Sequence, residues 1–197
     1  DILFSPSADV NNVVISPDGE FVYISSSDST NRKLNANDLI LVDTFSEWVG
    51  SQRVFGQAIS YDGEFLYSAP IESTTGNVRK IQTSNMSQAL DVSGNELLFS
   101  MGSIGFDDGG ITIVMSPDDD FIFVHNRDPG GPVVKIRTSD MSQVGPTNIS
   151  SNTERGHDMV ISSDGTTLFI ISDRGHVRTV DADSMTQIRE ERFTTNS

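Results

Sequence analysis

The sequence predicts an all-β protein made of four repeats, and two recurring patterns support this prediction. The first pattern is a short apolar run, a Ser-x-Asp-Gly type of turn, and a second run of β-branched and aromatic residues. Ser, Pro and Gly suit the first, second and last positions of a type I turn, so each copy predicts a β-hairpin. The four copies begin at Val13, Ala58, Val114 and Val160.

The second pattern is the spacing of these hairpins and the strand that follows each one. The steps between successive turn aspartates are 44, 56 and 46 residues, at Asp18, Asp62, Asp118 and Asp164. A period of roughly 40–50 residues built from strands alone is typical of β-propeller blades of four strands. In most copies apolar and polar residues then alternate, which predicts the third strand of each blade, at residues 39–44, 78–88, 133–143 and 177–187.

We therefore predict a single β-propeller domain of four blades, either a closed four-blade ring or an arc of a larger propeller. The approximate blades are residues 11–56, 57–110, 111–156 and 157–197, with residues 1–10 as an outer-strand or closure segment. In blade 1 we expect a polar loop over residues 25–37 and an outer strand around residues 48–55. In blade 2 we expect a strand at residues 97–99 before an extended loop, and blade 4 ends in a charged outer strand at residues 186–193.

The repeats resemble the YVTN family of β-propeller repeats. The run Ser-Pro-Asp-Gly-Glu-Phe-Val-Tyr-Ile at residues 16–24, followed by the Val-Asp-Thr strand at residues 42–44, carries the resemblance, which covers nearly the whole chain. It implies the propeller fold and leaves the function open, because related repeats serve surface proteins, lactonases and redox enzymes alike. The chain departs from the pattern at Asp119, where the turn glycine is expected, and at Tyr61, where proline is expected.

Composition excludes several classes of function. The formal net charge of −15 disfavours partners with phosphate backbones or anionic lipid surfaces, so we expect no nucleic acid partner. No apolar run reaches the length of about 18 residues that a membrane span requires. The chain has no cysteine, which rules out disulfides, thiolate metal sites and a cysteine nucleophile.

The expected location is extracellular or at the cell surface. The family resemblance supports secretion, and the chain begins at Asp1, so we expect a processed form or a piece of a longer protein. Two glycosylation sequons begin at Asn85 and Asn148.

The candidate binding residues are those just before the innermost strand of a blade, where they would line the mouth of the channel. They are Asn12, Gln57, Arg155, His157 and Asp158. An imidazole beside a carboxylate can act as a base or bind a metal. Adjacent strand residues point to opposite sides, however, so we predict no catalytic residue.

The recurring turn residues are expected to be structural, because an aspartate side chain caps its own turn in every blade. They are Asp18, Gly19, Asp62, Gly63, Asp118, Asp164 and Gly165. We predict no cofactor apart from calcium, for which Asp107 and Asp108 are the candidate oxygen ligands.

The sequence thus favours a non-catalytic module for protein interaction or structural assembly. Its partner would be another protein, or a further copy bound through the blade ends. The alternative is a propeller enzyme, a lactonase-like hydrolase or an oxidoreductase, that binds a small substrate or a divalent metal at the channel mouth.

Overall fold

The computed structural model describes residues 8–48, 53–71, 77–100, 111–127, 132–147, 155–172 and 174–193. Within these ranges all regular structure is β-strand, paired antiparallel, as the alternating sequence pattern predicts. The chain forms two compact units, Asp1–Gly105 (unit 1) and Phe106–Ser197 (unit 2). Each unit contains two sheets, which we number blade 1 to blade 4 in chain order.

Unit 1 contains blades 1 and 2. Blade 1 is a four-stranded meander of β1 (Val10–Ile15), β2 (Phe21–Ser26), β3 (Thr30–Asn35) and β4 (Leu41–Phe45). Blade 2 contains β5 (Arg53–Ile59), β6 (Phe65–Ile71), β7 (Asn77–Gln82), β8 (Ser87–Gln88) and β9 (Leu98–Ser100). Both β8 and β9 pair with β7, and β9 matches the strand predicted at residues 97–99 to within one residue.

Unit 2 contains blades 3 and 4. The described residues of blade 3 form β10 (Ile111–Met115), β11 (Phe121–Asn126) and β12 (Val133–Arg137), and a single bridge joins Ile136 to Gln143. Blade 4 is a four-stranded meander of β13 (Gly156–Ile161), β14 (Thr167–Ser172), β15 (His176–Asp181) and β16 (Gln187–Arg192).

The third strand of blade 1 corrects the sequence prediction. It is Thr30–Asn35, which was expected to be loop, whereas the segment predicted as the third strand forms the fourth strand β4. The outer strand expected around residues 48–55 is wrong as well, because Arg53–Ile59 is the first strand of blade 2. The polar sequence of β3 concealed it: Asn31 and Arg32 are buried, and hydrogen bonds satisfy their side chains inside the unit.

The four hairpin turns share one geometry. In blade 1 the Gly19 amide donates to the Ser16 carbonyl at 2.9 Å, and Asp18 Oδ1 accepts from the Glu20 amide at 2.9 Å. The glycine takes a left-handed φ of 74°, and Asp119 takes 62° at the same position in blade 3. Aspartate tolerates this conformation better than most residues, so the turn is kept where glycine is absent.

Each blade has two faces, because successive strand residues point to opposite sides. In unit 1, Tyr23 and Phe45 of blade 1 pack with Leu66 and Ile81 of blade 2 in one buried cluster that includes Trp48. We call the face of blade 1 that carries Tyr23 its forward face, and the face of blade 2 that carries Leu66 its back face. The corresponding faces of every other blade take the same names.

Unit 2 repeats this arrangement. Phe123 on the forward face of blade 3 packs with Met159, Leu168 and Val180 on the back face of blade 4. The core of each unit therefore lies between a forward face and the back face of the next blade.

Candidate functional site

The five predicted channel-mouth residues lie at or just before the first strand of a blade. Asn12 lies in β1 and Gln57 in β5, both in unit 1, while Arg155 precedes the His157–Asp158 pair of β13 in unit 2. In all three blades a bulge interrupts the pairing of the first two strands at this level. The residues therefore share the end of the blade that is remote from the Ser-x-Asp turn.

Gln57 belongs to a buried hydrogen-bond network in unit 1. Its Nε2 donates to the Tyr23 carbonyl at 2.7 Å, and its Oε1 accepts from Asn31 Nδ2 at 3.2 Å. Asn31 Nδ2 also lies 2.9 Å from Ser68 Oγ, and Asn31 Oδ1 accepts from Trp48 Nε1 at 3.1 Å. The carboxamide of Gln57 joins blades 1 and 2, and its role in ligand binding stays a prediction.

His157 and Asp158 are exposed neighbours with different partners. His157 Nδ1 lies 3.4 Å from Arg127 Nη2, whereas Asp158 Oδ1 accepts from the Met159 amide at 2.9 Å. Arg127 Nε also donates to the carbonyl of Gly156 at 3.3 Å. The imidazole and the carboxylate are therefore not hydrogen-bonded to each other, and a general-base pair is not assembled at this position.

Two buried polar side chains in unit 2 escaped the sequence analysis. Among the described residues, His125 Nδ1 and Arg178 Nη1 have no hydrogen-bond partner. Burial, together with the positive charges of Arg178 and Arg127, lowers the pKa of His125 to about 3. The imidazole is thus neutral at physiological pH. The available sequence signal was the repeat itself, because the other blades have small or apolar residues at this position, namely Ser25, Ala69 and Ile171.

Each unit has a pocket between its two blades, and the two pockets are built from corresponding residues. The pocket of unit 1 has a volume of about 430 Å³, and Asp18, Phe21, Lys33 and Asp62 contribute to its lining. The pocket of unit 2 has a volume of about 300 Å³ and is lined in part by the counterparts Asp118, Phe121, Lys135 and Asp164. Turn carboxylates of two successive blades therefore flank one lysine in each pocket.

A lysine lies over an aromatic ring in three blades, and in blades 1 and 3 it is the pocket lysine. The distances from Nζ to the ring centroid are 3.9, 3.9 and 4.2 Å, for Lys33 on Phe21, Lys80 on Phe65 and Lys135 on Phe121. Such cation–π contacts strengthen when the ammonium group is shielded from water. Blade 4 lacks both members, because Thr179 and Thr167 occupy the positions of the lysine and the phenylalanine.

Two of these lysines also contact the following blade of their own unit. Lys33 Nζ donates to the Thr83 carbonyl at 2.9 Å, and Lys135 Nζ lies 3.4 Å from Asp183 Oδ1. The ammonium groups therefore contribute to the packing of one blade on the next.

The predicted calcium ligands Asp107 and Asp108 lie outside the described residues, as does the Asn148 sequon. No group of three or more His, Cys, Asp or Glu in the described ranges could hold a metal ion. The Asn85 sequon lies in an exposed turn, where Asn85 Oδ1 accepts from Ser87 Oγ at 2.8 Å. In the same ranges no helix has the length and apolar character needed to cross a membrane.

Several exposed apolar side chains lie on two blade faces, and others, such as Leu39, Leu90 and Val92, lie elsewhere in the described residues. The forward face of blade 4 carries Val160, Phe169 and Ile171, which are 56%, 40% and 45% exposed. The back face of blade 1 carries Val13 and Ile15, which are 62% and 57% exposed. The packed faces of unit 2 bury the corresponding side chains Phe123 and Met159.

Comparison with known proteins decides the architecture. No family model matches the chain, and no curated protein matches it. Among solved structures, hydrazine synthase of Kuenenia stuttgartiensis is similar to this chain, with 21% sequence identity and a TM-score of 0.70. The match covers 95% of this chain and 52% of the hydrazine synthase chain. The β-propeller domain of Cps50 (Swd1) from Myceliophteria thermophila is also similar, with 13% sequence identity and a TM-score of 0.69. That match covers 99% of this chain and 59% of the Cps50 chain.

The chain is a β-propeller. This confirms the predicted all-β fold with four blades, and at these identities the likeness shows the fold alone. The chain spans little more than half the length of the solved structures it matches. The membership of its repeats in the YVTN family stays a prediction, as does the choice between a closed ring and an arc.

Proposed function

We propose that this β-propeller is a non-catalytic module for protein interaction or structural assembly that works outside the cell. The observation that carries the proposal is the apolar forward face of blade 4, where Val160, Phe169 and Ile171 are exposed together. Contiguous exposed apolar surface on a soluble protein commonly marks a binding surface for another protein.

The repeat supports this view of the surface. Phe169 occupies the position of Phe123, which blade 4 covers so fully that only 1% of the side chain is exposed. Tyr23 occupies the same position in blade 1 and is equally buried against blade 2. A forward face is therefore a surface whose side chains suit burial against a further β-sheet.

Charge supports the class of partner. With a net charge of −15 the protein repels nucleic acid and anionic membranes, so a protein partner suits the apolar face better. The resemblance of the repeats to those of surface proteins supports a location outside the cell.

Site-specific photo-crosslinking tests the proposal. A benzoyl-phenylalanine at position 169 of the full chain, irradiated with the secreted and surface proteins of its source, is expected to give adducts of discrete mass. The same group in place of the exposed turn residue Glu20 is the matched control and should give none. Equal labelling from both positions, or none from position 169, would contradict the proposed function.

A further inference from the structure

We infer that the forward face of blade 4 binds the back face of blade 1 from a second copy of this chain. The inference rests on the proposed function and names the partner of the same surface.

The contact between successive blades is built in the same way in both units. Tyr23 of blade 1 packs on Leu66 of blade 2, as Phe123 of blade 3 packs on Leu168 of blade 4. At the turn end, the glycine of the second blade approaches the proline of the first. A Cβ on Gly63 would lie 3.4 Å from Pro17 Cδ, and one on Gly165 would lie 3.2 Å from Pro117 Cδ.

The uncovered faces correspond in strand register to the two halves of this contact, while Ser163 of blade 4 replaces the proline at the turn end. On blade 4, Val160 and Phe169 pair across β13 and β14 as Val114 and Phe123 pair across β10 and β11. Phe169 is 40% exposed, whereas Phe123 is 1% exposed.

The back face of blade 1 supplies the other half. Val13 occupies the position of Met159, as the strand pairing of each first strand shows. Val13 is 62% exposed, whereas Met159 is 1% exposed. Val22 and Leu34, which pair across β2 and β3, occupy the positions of Leu168 and Val180. Val22 is partly exposed, whereas Leu34 is already buried at 4% exposure.

A second copy is the occupant that fits both faces, because every copy carries one forward and one back face of matching pattern. Such a contact is head-to-tail, and it closes into a ring when the rotation permits. One copy of this chain matches 52% of the length of one solved chain and 59% of the length of the other. Two copies together bring the blade number to the upper end of the range of roughly 4–8 found in propellers.

The forward face of blade 4 differs from the other forward faces in its polar groups: the exposed Asp158 lies beside Ile171 at its edge, and the lysine is absent. The forward face of blade 4 carries Thr179 in place of the pocket lysine, so no ammonium group needs an acceptor on the partner. Each copy carries a net charge of −15, and this repulsion is screened by salt. The association is therefore expected to strengthen as ionic strength rises.

Light scattering on the purified 197-residue chain over a dilution series tests the inference. The wild-type protein is expected to form a dimer or a longer series at high concentration and to dissociate towards 21.4 kDa on dilution. Phe169→Asp and Val13→Asp should each give a monomer. An equimolar mixture of the two variants should recover dimers, because one intact forward face meets one intact back face.

Val92→Asp is the matched control, since Val92 is a fully exposed apolar residue of blade 2 on neither face, and it should leave the association unchanged. Circular dichroism checks that each variant is folded, and Ile171→Asp serves as a second forward-face variant. A wild-type monomer at every dilution, or variants that mixing does not rescue, would overturn the inference. Adducts from position 169 to a different protein would then still support the proposed function.

Discussion

The ring of His125 occupies the space in which any side chain at position 156 would lie. A Cβ built on Gly156 would be 2.0 Å from His125 Cε1 and 2.7 Å from Nε2. In unit 1 the corresponding residues are Ser25 and Val54, so the large residue there is on the second blade rather than the first. Ser25 Oγ donates to the Phe55 carbonyl at 3.2 Å, which places the smaller side chain at the same junction.

Gly156→Ala is expected to destabilise the protein strongly. The added methyl group meets a buried ring in a closely packed core, and overpacking of this kind typically costs about 1–3 kcal/mol. Urea unfolding followed by circular dichroism measures the loss in the free energy of unfolding.

A compensating change identifies the cause. His125→Ala in the Gly156→Ala background should recover part of the lost stability, because it removes the atoms that clash. In unit 1, Ser25→His should be tolerated better together with Val54→Gly than alone. Equal losses with and without the second change would show that ring contact is not the reason.

Stability is expected to fall as pH is lowered, in part because of His125. Burial lowers the pKa of this group to about 3 in the folded protein, against about 6.5 when it is exposed. Between these values the unfolded chain binds the extra proton, so the stability present above pH 6.5 is lost on acidification. The slope from this group is at most about 1.4 kcal/mol per pH unit.

Urea titrations at several pH values from about 7 to about 4 measure this slope, because this range lies largely between the unfolded and folded pKa values of His125. His125→Ser, which copies the residue of blade 1, should flatten it. His157→Ser alters an exposed histidine of the same unit and should leave it as in the wild type.

Asn31→Ala is expected to disrupt the polar contact between blades 1 and 2. It leaves Trp48 Nε1 and Gln57 Oε1 without their partner, and each buried unsatisfied group costs about 1–3 kcal/mol. Trp48 is the single tryptophan of the chain, so its fluorescence reports the site directly. A red shift in emission together with a lower unfolding midpoint is expected, whereas Asn37→Ala, at an exposed position, should change neither.

Asp164 is expected to stabilise the turn of blade 4 mainly through its charge. The Ser162 hydroxyl, with the Thr166 amide and hydroxyl, lowers the pKa of this carboxyl to about 2. The contribution is therefore present above the unfolded pKa of about 3.9 and is lost as pH falls towards 2.

Asp164→Asn keeps an acceptor oxygen and removes the charge, so its melting temperature should approach that of the wild type as the pH falls below about 4. Asp164→Ala lacks the acceptor as well and should remain less stable at every pH. A constant difference between wild type and Asp164→Asn across this range would argue against the charge.

The lysine and phenylalanine of each pocket are expected to act as a pair. A double-mutant cycle with Lys135→Met and Phe121→Leu should give a coupling of about 0.5–2 kcal/mol, because the ammonium group is largely shielded from water. Alanine substitutions of Thr179 and Thr167, which occupy the same two positions in blade 4, should show no measurable coupling. Additive losses in blade 3 would reduce the contact to simple packing.

The hairpins and their period could be predicted from the sequence, because turn chemistry is local. The Ser-x-Asp-Gly signal depends on bonds within about five residues, and the left-handed φ of Gly19 and Asp119 falls where the pattern places it. The β3 strand Thr30–Asn35 could not be recognised in this way. Its Asn31 is buried because distant groups, Ser68 and Gln57, accept its hydrogen bonds, whereas the buried Arg32 pairs with Asp28 four residues before it.

The candidate site was predicted less well, for the same physical reason. Asn12, His157 and Asp158 do lie at equivalent strand ends, as their position in the repeat predicts. Other contacts depend on how one blade packs on the next. These are the hydrogen bond from Gln57 to Tyr23 and the close approach of His125 to Gly156. No short motif reports such a contact, because its members are separated by tens of residues.

The large side chain of His125 on blade 3 lies against the glycine at position 156 of blade 4, the reverse of the small Ser25 and larger Val54 in unit 1. This difference affects the order in which similar repeats assemble. The forward face of blade 3 accepts a first strand with glycine at this position, whereas a strand carrying Val54 would clash with the imidazole. Repeats with interchangeable faces can pack on the wrong neighbour while the chain folds, and such misassembly is a characteristic failure of repeat proteins. One bulky ring and one missing side chain thus give near-identical hairpins a preferred neighbour.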